Sequence, residues 1–441
     1  MGADELAMLR VTAAAWAIAI ICVALALSGW THWGAILLLV IPGLAAWAVR
    51  RASLLVTFYL TQMAVYFGLT SLVLVEDRPP ILIGIVAIWA VGLTIGGFAG
   101  RTNIPAPHVT EWSRPRWPQF VLIAGLVTMQ AGLVLSGRLG FGAQLTLGLS
   151  TPTGVLGILA AAAPVLSLML LITASRSQHL VYVAAVLAGL EAVVLSLSGF
   201  RAGAAVFVVG AVIAAALTLP QDSPWRRKYR AIIFATVLTI VVVVGFIVGA
   251  NVRSGVATEL GASSQGTQLF SLDQALPIIA SRLDLGAPLQ TAIQYQDDPS
   301  LKGAVSWTSQ IQAFIPRFLW PDKPIIDYGQ QVSATAYGLQ YGQSSSTIST
   351  VGDTLVNFKI PGLVIVSLGL GLALSLAERR IRTGAGLQSL VLAAGLSYAV
   401  VGQEAPLILT VAGVVRNLLV AAILWAASQA VYRVVRRHLV P

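Results

Sequence analysis

PILIGIVAIWAVGLTIGGF, residues 80–98, runs for nineteen residues without a charge. A helix rises about 1.5 Å per residue, so this stretch is long enough to cross a hydrocarbon core of about 30 Å. Similar runs occur along the whole chain. They cover 11–30, 34–49, 52–75, 80–98, 118–136, 153–173, 180–198, 202–219, 231–250, 360–377 and 387–401, with a last one inside 407–431. EAPLILT, residues 404–410, fits either of the last two runs. The predicted fold class is therefore all-α. It is a polytopic membrane protein of about twelve transmembrane helices, with one long extracytoplasmic loop containing short helices. The expected divisions are 1–250 for helices one to nine, 251–358 for the loop and 359–441 for the last three helices.

Composition points the same way. Of 441 residues, 57% are hydrophobic and 10% charged, and the mean hydropathy is +0.84. A soluble domain carries about 25% charged residues, so the solvent of most of this surface must be lipid. The formal net charge of +10 does not point to nucleic acid, because the basic residues cluster in short connections between apolar runs. Cys22, the single cysteine, excludes an internal disulfide framework and a thiolate metal site. His32, His108, His179 and His438 lie in separate connections without metal-ligand spacing, so neither a metal nor another cofactor is expected. The opening MGADELAMLR lacks the basic start of a cleaved signal, so run 11–30 reads as a retained helix.

Lysine and arginine set the orientation. With the N-terminus in the cytoplasm and sides alternating, 17 of the 27 basic residues fall inside and 10 outside. Five of those ten belong to the long loop, which the rule largely ignores, so short connections divide 17 to 5. Both termini are then cytoplasmic, and segment 251–358 lies outside the cytoplasmic (inner) membrane.

That segment is the one clear shift in composition. GASSQGTQ, DQALP, QYQDDPS, WPDKP and YGQSSSTIST are too polar for lipid, yet the segment is too apolar for a disordered tether. SLDQALPIIASRLDLG, residues 271–286, reads as a helix started by Ser271 and bent at Pro277. SWTSQIQAFIPRFLW, residues 306–320, reads as an interfacial helix with Trp307, Ile311, Phe314 and Phe318 on one face.

Several outward cations run against the positive-inside bias. Arg138 lies in LSGRLGFG, Arg201 in LSLSGFRAG, and Arg416 near the outer end of the last run. Arg282, Arg317 and Lys323 lie in the loop. Singly, each reads as snorkelling or topology noise. Together they suit a diphosphate at the outer leaflet, since the planar fork of arginine matches phosphate. Transfer from a lipid diphosphate needs a base for the acceptor hydroxyl and positive charge for the leaving group. The outer carboxylates are Asp273, Asp284, Asp297, Asp298, Asp322, Asp327, Asp353 and Glu404. Asp284, two residues after Arg282, and Asp353, where the loop re-enters the membrane, are the candidate bases. Asp297 and Asp298 read as solvated loop acids. Glu191, mid-way along run 180–198, reads either as a proton-coupling residue or as a buried structural carboxyl with a partner on a neighbouring helix. PWRRKYR, 224–230, reads as a topology element beside the inner headgroups.

FIPRFLWPDKP, residues 314–324, followed by STISTVGDTLVNFKIPG, residues 346–362, resembles the Wzy-type O-antigen (oligosaccharide repeat-unit) polymerases. LSGFRAG, 197–203, is similar to that family's Ser-Gly-x-Arg or Ser-Arg-Gly element. The resemblance covers helix number, termini and loop position over the whole chain, with local motifs from 197 to about 362. It implies a fold related to the GT-C glycosyltransferases and a metal-independent, cofactor-free joining of repeat units on undecaprenyl diphosphate. Arg201, Arg282 and Arg317 would contact diphosphate or glycan. The partners it implies are polyprenyl-diphosphate-linked oligosaccharide, membrane lipids and a chain-length regulator, with no nucleic acid. Where relatives often carry Gly-Glu, this chain has Gly352-Asp353, one methylene shorter. The related O-antigen ligases are expected to carry a loop histidine, and 251–358 has none, which favours polymerase over ligase. The alternatives are a polytopic transporter or flippase of lipid-linked sugars, a ligase-like glycan transferase, and a non-catalytic scaffold.

Overall fold

The structure, a computed structural model, describes residues 31–50, 52–74, 78–100, 115–139, 154–174, 179–198, 201–218, 280–281, 283–315, 320, 328–338, 347–384 and 386–439. Among them, every regular element is helical. In chain order these are α1 (Thr31–Val49), α2 (Leu54–Leu74), α3 (Pro80–Ala99), α4 (Trp117–Leu135), α5 (Gly154–Ala174), α6 (Leu180–Leu197) and α7 (Arg201–Thr218). Then follow the short α8 (Gly286–Gln294), α9 (Pro299–Ala304), α10 (Trp307–Ile311) and α11 (Tyr328–Tyr337), and after them α12 (Ser349–Thr383), α13 (Leu387–Ala399) and α14 (Leu407–Leu439). Seven of these, α2 to α6, α12 and α14, are long and apolar enough to cross a membrane by length and composition. α1 and α13 contain shorter apolar stretches.

Ten predicted runs coincide with helices. Runs 11–30 and 231–250 lie outside the described residues, as does 271–279 of the helix expected at 271–286. EAPLILT is divided, with Glu404 and Ala405 in a turn and bend and α14 beginning at Leu407, just after Pro406. The interfacial helix is shorter than expected. α10 passes into a 3₁₀ turn, Gln312–Phe314, and ends at Ile315, which is extended at φ −87°, ψ 115°. Ile315 precedes Pro316, whose ring disfavours the helical conformation of its predecessor. Phe318 lies outside the described residues.

The chain forms two compact units. One comprises Met1–Ile104, Asp273–Arg379 and Gly402–Gly413. The other comprises Pro105–Leu272, Arg380–Val401 and Val414–Pro441.

In the first unit, α3 and α12 meet along a seam of small residues. Gly92 and Gly96 on α3 and Gly100 at its C-cap face Ser367, Gly371 and Ser375 on α12. Both sets recur every four residues, so each forms one stripe on its helix. A methyl group at Gly92 would overlap the Ser367 side chain, and one at Gly96 would overlap the Leu368 carbonyl. Such stripes let backbones approach closely, the main source of helix association in lipid. At the far end of α12, Glu378 Oε2 accepts from Ser53 Oγ at 2.8 Å and from the Leu55 amide at 3.0 Å. A buried carboxylate thus caps the N-terminus of α2, where free amides favour negative charge.

In the second unit, α5, α6 and α7 pack with α4 and α13. α4 closes with Arg138 N donating to Leu133 O at 2.8 Å and Gly137 N to Val134 O at 3.0 Å. This is a Schellman cap, with Gly137 in the left-handed region at φ 66°. It explains the Ser-Gly-Arg sequence at this helix end and leaves Arg138 exposed.

Gly96→Val should destabilise the first unit by about 1–3 kcal/mol or more through overpacking. Thermal unfolding in detergent micelles reads this directly, and Gly125→Val, on an α4 face with open space, should change the midpoint little.

Candidate active site

The described part of segment 251–358 is held to the first unit by a buried ion pair. Arg78 Nη2 lies 2.8 Å from Asp284 Oδ2, with side-chain exposures of 2% and 3%. Arg78 sits in the short connection between α2 and α3, so Asp284 meets that end of the two helices. Arg78 Nε also donates to Ser71 Oγ at 3.0 Å. Asp284 is saturated with donors. Oδ1 accepts from Gly286 N at 3.0 Å and from Thr70 Oγ1 at 3.2 Å, and Oδ2 also accepts from Ala287 N at 3.0 Å. The carboxylate therefore begins α8 as well as pairing with Arg78. With each oxygen doubly occupied, Asp284 has the surroundings of an anchor.

A distortion in α2 prepares this dock. Ala64–Leu69 is π-helical, and Thr70 N reaches back to Val65 O instead of Tyr66 O. Tyr66 O accepts from Thr70 Oγ1 at 2.6 Å and from the Leu285 amide at 3.1 Å. π-Bulges recur at functional sites because they re-aim backbone groups.

Asp353 lies at the centre of the second cluster and is fully buried. Its Oδ2 accepts from Trp307 Nε1 at 2.9 Å, and its Oδ1 from Gln310 Nε2 at 2.9 Å. Asn357, one turn on, donates to Val305 O and Asp353 O, both at 2.9 Å. Its Oδ1 accepts from the Trp307 amide at 3.2 Å. Asp353 and Asn357, four apart on one helical face, thus hold 305–310 against the start of α12. Among the described residues, no lysine or arginine lies within ion-pair distance of Asp353. Tyr328 of α11 is near enough to sense it. Burial pushes the Tyr328 phenol well up, and the negative field of Asp353 adds to this.

Three features position Asp353. Gly352 packs on α8, where a methyl group would stand 2.8 Å from Ala292 Cβ. Thr350, at the start of α12, donates from N to Gln403 O at 3.1 Å and from Oγ1 to Ala405 O at 2.6 Å. Gln403 Nε2 in turn donates to Tyr59 O of α2 at 2.8 Å. The third is a sharp corner at Lys359, which is non-helical at φ 58°, ψ −160°. Pro361, two residues later, has no amide to donate and crowds the carbonyl four residues back, so Ser349–Phe358 forms its own short helix before the apolar length of α12. The corner is latched by Lys359 Nζ, which donates to Gln296 O at 2.9 Å and to Asp297 Oδ1 at 2.7 Å. Trp307 and Phe358 cover the cluster edge to face, their ring centroids 4.4 Å apart.

Asp297 is exposed. The Lys359 hydrogen bond, with that of Lys302 beside it, holds its carboxyl below the usual range. Whatever this latch contributes is in place throughout neutral pH and is lost only as pH falls through that lowered value. Asp298 accepts from Ser300 N at 2.7 Å as the N-cap of α9.

Of the sequence candidates, Asp284 and Asp353 both fall in the first unit, joined through α8. Arg282, Arg317 and Lys323 lie outside the described residues. Arg138, Arg201 and Arg416 belong to the second unit. Arg201 is the first residue of α7, and Arg416 is exposed on α14. Sequence reasoning missed Arg78 as the partner of Asp284, and Trp307, Gln310 and Asn357 as those of Asp353. The spacing of Asp353 and Asn357 was the available signal. The described residues contain no cluster of acids, histidines and cysteines that could hold a metal. Comparison with protein-family models, curated proteins and solved structures yields no match for this chain.

Removing one member of a buried ion pair leaves an uncompensated charge. Arg78→Ala and Asp284→Ala should each cost about 3–5 kcal/mol of stability. Arg78→Met with Asp284→Leu together should cost less than either single change, as chemical unfolding of the purified protein would show.

Proposed function

We propose that this chain is a metal-independent glycosyltransferase of the outer face of the cytoplasmic membrane. It joins oligosaccharide repeat units carried on polyprenyl diphosphate. The observation that carries the reading is Asp353, a buried carboxylate without a cation partner among the described residues, at the corner where the long segment enters α12. Low dielectric and the lack of a counter-charge favour proton uptake by a carboxylate, which is what a general base requires.

In this reading, an acceptor hydroxyl replaces the Trp307 indole N–H at Asp353 Oδ2. The carboxylate takes the hydroxyl proton as the acceptor oxygen attacks the anomeric carbon of the donor. The bond from that carbon to the diphosphate oxygen breaks, and its electron pair leaves with the diphosphate. Gln310 and Asn357 hold the carboxylate in place. Asp284 anchors α8, and Arg282, Arg317 and Lys323 of the same segment supply the positive charge that a departing diphosphate needs. The absence of histidine from 251–358 supports chain growth over ligation.

Purified protein in proteoliposomes, supplied with a lipid-diphosphate-linked repeat unit, should give a ladder of longer glycans. Asp353→Asn should lower the rate of growth by about 10²–10⁴-fold, the usual contribution of a general base, in protein whose cooperative unfolding transition shows it to be folded. Full activity in Asp353→Asn would remove it from the chemistry. Absence of a ladder with a competent repeat unit, alongside measured transbilayer movement of that lipid, would assign the chain to transport.

A further inference from the structure

The second unit carries a group of cations that the proposed reaction does not use. α14 runs from Leu407 to Tyr432 with one charged residue, Arg416, and then carries Arg433, Arg436 and Arg437 in quick succession. α4 begins at Trp117, directly after Arg116, and contains no charged residue. Each helix therefore leaves the hydrocarbon at its cationic end. Those two ends meet within the unit. The Arg116 guanidinium carbon lies 5.1 Å from the centre of the Tyr432 ring, so α4 starts at the level where the apolar length of α14 stops.

Arg436 follows Tyr432 by four residues, one turn on along the same face of α14. Arg116, Arg433, Arg436 and Arg437 are all exposed. Among the described residues, none of the four lies within ion-pair distance of a carboxylate, and neither α4 nor α14 contains an acid. Stacking on a ring occupies the flat face of a guanidinium and leaves its N–H edge to donate. Arg116 is thus oriented without being neutralised. One guanidinium over the ring and a second a turn beyond it suit the oxygens of a phosphate.

The surface of α4 indicates which phosphate. Trp117, Val121, Gly125 and Thr128 are exposed and follow one another at spacings of four, four and three, so they form one outward line. A side chain at Gly125 would meet open space, and Thr128 Oγ1 returns its hydrogen to Ala124 O at 2.8 Å. The line therefore offers an acyl chain a shallow track without a free donor. From Trp117 to Thr128 the helix rises about 16 Å, close to half of a hydrocarbon core of about 30 Å. It starts beside Arg116 and has the depth of one leaflet. Clustered cations without an acid also disfavour a headgroup that carries its own positive charge. We propose that this end of the second unit holds an anionic phospholipid. Arg116 and Arg436 bind its phosphate, Tyr432 orients Arg116, and an acyl chain lies along Trp117, Val121 and Gly125.

Native mass spectrometry of the full-length protein, released from vesicles of equal phosphatidylglycerol and phosphatidylcholine, tests this without any substrate. The expected result is retention of phosphatidylglycerol over phosphatidylcholine by about 30-fold, from about 1 kcal/mol for each of two cations. Arg116→Gln with Arg436→Gln should bring that ratio close to one. Tyr432→Leu should lower it, and Tyr432→Phe, which keeps the ring, should not. Equal retention of the two lipids by the wild type would overturn the proposal. So would an unchanged ratio in the double variant or in Tyr432→Leu, which would trace the preference to diffuse charge. Displacement of the lipid by millimolar inorganic phosphate would also overturn it, assigning the cations to a free anion.

Discussion

A guanidinium and a carboxylate with almost no exposure hold the first unit's long segment to its helices. Neither Arg78 nor Asp284 tolerates burial alone, because the desolvation cost of one charge exceeds what neutral neighbours return. The pair is therefore formed together or not at all. Its formation sets more than one contact. Asp284 fixes the first amides of α8, and Gly286 packs with no room for a side chain beside the Arg78 guanidinium. α8 then offers Ala292 to Gly352, one residue before Asp353. Two carboxylates separated by 69 positions in the chain are thus linked by one short helix, and the geometry of the second depends on the electrostatics of the first.

The π-helical segment of α2 belongs to the same arrangement. A regular α-helix returns each carbonyl to the amide four residues on and presents nothing to a neighbour. With Thr70 N reaching Val65 instead, Tyr66 O is turned to meet the Leu285 amide. The irregularity in the apolar helix is a socket for the polar segment. The strained backbone at Lys359 has a comparable origin. A non-glycine residue at φ 58° persists only where its surroundings over-determine it. Here Pro361 forbids a straight continuation, Asn357 is occupied with Val305 and Trp307, and the Lys359 ammonium is held by Gln296 and Asp297.

The helices were legible in the sequence because lipid imposes a uniform rule of about 20 apolar residues per span. The backbone corner at Lys359, six residues after Asp353, falls where the polarity of the sequence changes. The partners were not legible. Nothing in the local pattern around Arg78 connects it with a carboxylate 206 positions away. The α3–α12 seam was missed although its glycines are four apart, because hydropathy treats glycine as filler while packing treats it as a surface. The helix expected over 306–320 ends by Ile315, the residue before Pro316, although the apolar spacing of the sequence continues.

The first unit joins a polar segment to apolar helices through groups that are individually costly to bury. Asp353 receives indole and amide N–H bonds but no guanidinium among the described residues, whereas Asp284 receives a guanidinium, a hydroxyl and two amides. Two aspartates in one segment are thus sorted by their donors. The one with four donors, including a full positive charge, has both oxygens engaged and serves as an anchor. The other is held by neutral donors alone. The proposed reaction uses the more sparingly solvated carboxylate, and the better-solvated one holds it in place.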